Sequence, residues 1–118
     1  MGLDVRVRED EENYIISEHL GSYSGFHFWR KAVAKAAGFD LDNMEGFGGK
    51  QESWDGKPFP LILNHSDCDG GYSLEQILEV LREAEAIKKL NVDDYEQSDK
   101  FIRLCKVALE HKKPIEFG

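Results

Sequence analysis

Residues 3–8 read Leu-Asp-Val-Arg-Val-Arg, apolar and charged in strict alternation. Successive side chains of a strand point to opposite faces, so this pattern predicts a strand with one face buried and the other in water. Such a strand needs a partner along its edge and a cover over its apolar face. Residues 9–12 are all acidic and mark a turn. Residues 13–20, with Tyr14, Ile15 and Ile16, supply an antiparallel second strand.

The cover comes from segments with helical spacing. Ser22 or Ser24 caps a first helix, Phe26, Trp29, Val33 and Ala36 recur along it, and Gly38 ends it. It carries Arg30, Lys31 and Lys35 and no acid. His27, Phe28 and Arg30 lie off the apolar line and are expected at the surface. Ser73 and Gln76 form a capping box for a second helix, whose apolar side is Leu74, Ile77, Leu78, Leu81, Ala84 and Ile87. An acidic run over residues 91–99 links it to a third helix. There Phe101, Leu104, Cys105, Ala108 and Leu109 face inward, and Pro114 stops the helix. The short apolar run over residues 60–64 reads as a buried central strand, and Ile115 with Phe117 as a terminal edge strand. The expected fold is therefore α+β: residues 1–118 as a single domain, with a small, mainly antiparallel sheet against two or three helices.

Composition narrows the function. The chain has 118 residues with 15 Lys+Arg against 23 Asp+Glu, a net charge of -8. That balance opposes binding to nucleic acid or to anionic membranes, both of which recruit Lys and Arg. Basic residues do cluster on the first and third helices, which leaves a local cationic patch open. No stretch approaches a membrane span, and the charged N-terminal residues do not read as an export signal. A cytoplasmic protein is expected, with Cys68 and Cys105 as reduced thiols.

Two segments are candidates for function. Residues 38–59 hold five glycines with little helical or strand pattern, and Phe47, Trp54 and Phe59 are expected to pin this loop down. The second segment, residues 63–73, packs His65, Ser66, Asp67, Cys68, Asp69, Gly70 and Gly71 between a predicted strand and a helix. Strand-to-helix junctions are where open α/β sheets build sites. Asp67 and Asp69 are two apart, so extended backbone turns both carboxylates the same way. Their repulsion needs a cation or a shared proton to offset it.

His65, Asp67 and Asp69 are accordingly the candidate ligands of a divalent cation. Asp-Cys-Asp-Gly follows the middle of a calcium-binding EF-hand loop, although His65 stands at its first position and Gln76 at its twelfth. Cys68 with His65, His19 or His27 as base would instead make a nucleophile. No catalytic signature supports an enzyme, and no cofactor beyond a divalent cation is implied. In the plainest reading, Asp67 or Asp69 forms a turn, Gly70 or Gly71 supplies a positive φ, and Ser73 caps the helix.

The segment His65-Ser66-Asp67-Cys68-Asp69-Gly70 also resembles the first metal-binding motif of DHH-family phosphoesterases, which implies a manganese or magnesium ion that activates water. The triplet Asp-His-His is absent from the chain. A broader resemblance runs through Met1-Gly2-Leu3-Asp4, then Tyr23-Ser24-Gly25-Phe26-His27 and Arg30, then Leu63 and residues 65–70. In these motifs the chain is similar to a family of small bacterial and phage proteins without an assigned activity. The resemblance implies that the helix start around Tyr23 and His27 and the loop at His65, Asp67 and Asp69 matter together, and these five are taken as the candidate ligand-binding residues. The expectation is a small binding or regulatory domain with a ligand or cation site in loop 65–71. The alternative is a protein-interaction module of immunity or anti-defence type that meets a basic partner by charge complementarity.

Overall fold

The computed structural model describes residues 2–65, 70–90, 92 and 97–118. They form a small α+β fold in the order β1 (Gly2–Arg8), β2 (Tyr14–Ser22), α1 (Tyr23–Ala36), α2 (Pro60–Leu63), β3 (Gly71–Tyr72), α3 (Leu74–Lys89), α4 (Gln97–His111) and β4 (Ile115–Phe117). The sheet is four-stranded in the order β2-β1-β4-β3, and every pairing is antiparallel.

β1 alternates as expected. Leu3, Val5 and Val7 are fully buried, and the residues between them are half-exposed. The inward residues meet Leu20 of β2, Ile115 and Phe117 of β4, and a cluster of rings from the helices. Phe26 and Trp29 of α1 lie 6.1 and 5.9 Å from Phe101 of α4. α1 and α4 lie against β1 and β2, whereas α3 packs on α4 and reaches the sheet at β3. Burying each large apolar side chain stabilises the fold by about 1.5–3 kcal/mol, enough in sum to hold so short a sheet.

On the outward face of the sheet, Asp4, Arg6 and Arg8 of β1 face β2 residues in register. The Arg6 and Arg8 guanidiniums sit 4.7 and 4.8 Å from the Tyr14 ring centroid. Asp4 holds His19 Nδ1 at 2.8 Å, and Arg8 Nε donates to Glu116 at 2.9 Å.

The caps follow local chemistry. Ser22 Oγ accepts from Gly25 N–H at 3.0 Å. At the other end of α1, Gly38 takes φ +101°, its N–H donates to Lys35 O, and Phe39 N–H donates to Ala34 O. That pair of bonds is a Schellman motif, which requires a left-handed residue where Gly38 stands. At the start of α3, Gln76 Oε1 accepts from Ser73 N–H at 3.0 Å.

Four expectations change. Residues 60–63 form one turn of helix rather than a central strand. Pro60 occupies its first turn and Phe59 before it is left-handed, at φ 59° and ψ 43°. A short apolar run has no period that separates the two states, and Pro at N1 suits a helix while lacking a donor for a ladder. β4 is an interior strand between β1 and β3, not an edge. The buried side of α3 is Ile77, Val80, Glu83, Ala84 and Ile87, whereas Leu74 and Leu78 are 41% and 48% exposed. α3 is apolar over more than one face, and α2, α4 and β3 select which face is covered. Finally, Arg30 is 1% exposed, since it lies one turn beyond Phe26 on the buried side of α1.

The loop over residues 38–59 is ordered by contacts rather than by long elements. It holds one 3-10 turn at Leu41–Asn43 and a bridge between Met44 and Glu52. Trp54 packs 6.1 Å from both Phe39 and Phe47, and Trp54 Nε1 donates to Glu45 O. Phe47, Trp54 and Phe59 all rest against the core, as their aromatic character predicts.

Gly71 is held by a close approach. A Cβ there would stand 2.2 Å from the Ile115 carbonyl oxygen. Gly71→Ala must therefore part β3 from β4, and urea unfolding should show a loss of about 1–3 kcal/mol. A wild-type midpoint for this variant would mean that the contact relaxes freely.

Candidate functional site

The candidate loop connects α2 to β3. Asp67, Asp69 and Cys68 lie outside the described residues, so the site is described by the two ends that carry it. On the entering side, the backbone of residues 61–65 is held by three buried polar side chains from three elements. Arg30 Nη1 of α1 donates to Leu63 O at 3.1 Å and to His65 O. Tyr72 Oη of β3 donates to Leu61 O at 2.7 Å. Glu83 of α3 accepts from Leu61 N–H at 3.2 Å and Ile62 N–H at 3.0 Å. Arg30 is also stacked on rings, 4.6 Å from the Phe26 centroid and 5.8 Å from Phe47.

On the returning side, Gly70 takes φ +91° and its carbonyl accepts from Phe117 N–H at 2.9 Å. A positive φ is cheap only for glycine, and here the chain turns directly beside the His65 ring. His65 closes the two ends against each other. Its ring lies 4.1 Å from Phe117 and 4.9 Å from Tyr72, and its Nε2 is 3.4 Å from Gly71 O. The imidazole is thus wedged between β4 and β3 at the mouth of the loop, half-buried. Imidazole is a common metal ligand and a common proton carrier.

The other predicted residues take different places. His27 stacks on Phe47 at 6.2 Å with an interplanar angle of 24°, and its Nε2 is 3.4 Å from Asp42 Oδ1. Phe47 in turn lies under the Arg30 guanidinium that donates to His65 O. His27 and His65 are therefore joined through Phe47 and Arg30. Tyr23 is half-buried against the core and is not one of the groups holding the loop. His19 points to the outward face of the sheet, where Asp4 holds it. Among the described residues, no group of three or more His, Cys, Asp and Glu side chains is placed to hold a metal ion. The proposed set of His65, Asp67 and Asp69 includes two residues outside that description.

Charge in this region follows burial. Desolvation raises the Glu83 carboxyl above the usual carboxylate range, opposed by its bonds from Ile62 and Leu61. Burial raises the Tyr72 phenol well above its ordinary value, so it stays a donor. The Cys105 thiol is buried and is pushed up to about 12, which makes it a core residue rather than a nucleophile. Asp42 is held below its ordinary value, chiefly by Lys31 at 2.7 Å.

Arg30, Tyr72 and Glu83 were not candidates from the sequence. Glu83 did leave a signal, because it is a charge in line with an apolar stripe, Val80-Glu83-Ile87 on α3, whereas Arg30 read as off the apolar line of α1 and is buried there all the same. A charge at such a position must be bonded internally or distort the packing. Several of the basic residues anticipated as a patch on α1 and α4 are engaged elsewhere. Arg30 is buried, Lys31 pairs with Asp42, Arg103 pairs with Glu18 at 2.6 Å, and Lys100 donates to His19 O at 2.6 Å.

Compared with known proteins, the chain matches no family model, no curated protein and no solved structure. No helix among the described residues is long and apolar enough to cross a membrane.

Proposed function

We propose that this protein is a small cytoplasmic binding or regulatory domain whose site is loop 65–71, taking a divalent cation or a small ligand through His65, Asp67 and Asp69. One observation carries the reading. Three buried polar side chains, two of them charged, bond to a single five-residue stretch of backbone at the loop's entrance. Burying an arginine and a glutamate is costly, and here the cost is offset by bonds to this one stretch of backbone. What they enforce is the entry of the loop and the placement of the His65 ring at its mouth. Binding sites require that kind of preorganisation, because a rigid entrance lowers the entropy lost when a ligand is gripped.

Titration calorimetry with Ca²⁺, Mg²⁺, Mn²⁺ and Zn²⁺ tests this. One of these ions is expected to bind with measurable heat and to raise Tm, and Asp67→Asn with Asp69→Asn to abolish both effects. No heat and no thermal shift with any ion would remove the cation reading. A second reading, a protein-interaction module, draws support from Leu74 and Leu78. They stand one turn apart on the first two turns of α3, both exposed and just beyond the same loop.

A further inference from the structure

Glu83 has a role that the packing of α3 does not require. It is 6% exposed, and no ion pair to it is found among the described residues. Its bonds go to α2. α2 has no side-chain cap of its own, and Pro60 in its first turn has no N–H. Leu63 N–H donates to Phe59 O and Asn64 N–H to Pro60 O, within the turn. That leaves Leu61 and Ile62 as the N–H groups needing an outside acceptor, and the two Glu83 oxygens take one each.

We propose that Glu83 is a proton-sensitive latch: its carboxylate holds the N-terminal side of α2, and protonation frees that side and slackens the entrance to loop 65–71. A neutral carboxyl turns one oxygen into a donor, so only one of the two N–H groups keeps its acceptor. The opposite side of α2 stays held, since Tyr72 and Arg30 bond to its carbonyls. The groups around Glu83 agree with this. Glu79, on the preceding turn of α3, favours proton uptake. The Tyr72 phenol of β3 stays neutral, and beyond it lie Arg30 of α1 and the neutral Cys105 of α4.

The direction of the pKa shift separates the latch from acid unfolding. A carboxyl raised on folding contributes stability that is full below its unfolded value and lost as pH rises through its folded value. Acidification therefore loosens α2 while this group favours the folded state.

The control of ligand binding rests on loop 65–71 being the site, but the latch itself can be read without a ligand. Amide exchange of Leu61 and Ile62, corrected for chemical exchange rate, is followed over a pH series that spans the carboxyl ¹³C titration of Glu83. Protection is expected to fall about tenfold, the effect of one lost hydrogen bond, with the same midpoint as the carboxyl. Glu83→Gln is expected to give the low protection throughout the series. Glu83 titrating while Leu61 and Ile62 keep their protection would overturn the latch, and this comparison needs no variant. Titration with MnCl₂ on the same samples separates the two ideas. Heat without a pH-dependent change in protection overturns the latch alone. A change in protection without heat supports the latch and removes manganese as the ion of the loop.

Discussion

Arg30→Ala is expected to lower the unfolding free energy by about 3–5 kcal/mol, read from the urea midpoint at constant slope. The loss has two sources. The carbonyls of Leu63 and His65 lose their donor in a buried place. Each unsatisfied buried acceptor costs about 1–3 kcal/mol. The guanidinium and its stem also fill space between the Phe26 and Phe47 rings, and removing them leaves a cavity. Arg30→Met separates the two sources, because it keeps most of the volume and none of the donors. It should recover stability relative to Ala but leave the loop entrance loose, with shifted backbone signals at residues 63–65. Arg30→Lys keeps the charge but not the planar guanidinium that lies against the Phe26 and Phe47 rings, so it should stay below the wild type. A Met variant as stable as the wild type, with unshifted signals, would contradict the clamp.

Phe117→Ala should be comparably severe, at about 3–5 kcal/mol for a buried aromatic truncation. Phe117 is 6% exposed and ties the core to the loop. Its ring lies 6.0 Å from Phe26 and 6.4 Å from Phe101 on one side, and 5.5 Å from Tyr72 and 4.1 Å from His65 on the other. Removing it should also release the imidazole, seen as a shift of the His65 Cε1 proton toward the value of an exposed histidine. Phe101→Ala is the control, since it opens the same core without lining the loop. Loss of stability in both variants, with the His65 shift in Phe117→Ala alone, is the expected pattern. An equal shift in both would mean that His65 is set by the core at large.

Legibility in the sequence varied by type of contact. The alternation at residues 3–8, the Ser22 and Gln76 caps and the Gly38 stop were all readable, and each is settled within a few residues. Phe26, Trp29 and Phe101 were readable as core because their spacing repeats on one helix face. The run over residues 60–64 was not, since three apolar residues carry no period. Its state follows from Glu83, Tyr72 and Arg30, which bond to it from between 11 and 33 residues away in the chain.

The loop shows the same division. Its ligand-rich composition was visible at once, and Gly70 does take the positive φ that such a turn needs. The groups that hold its entrance were not visible, because their partners are backbone carbonyls and N–H groups, which are identical at every position. By itself, then, the sequence determined the elements whose stability is local: strands with a clear alternation, helices with their caps, and a polar turn rich in potential ligands. The tertiary structure alone decided which of the apolar faces of α3 is covered, that residues 60–63 coil, and that Arg30 and Glu83 lie inside. The physical reason is that a buried charge is tolerable only where several distant segments bring it bonded partners at once, and that meeting exists only in the folded chain.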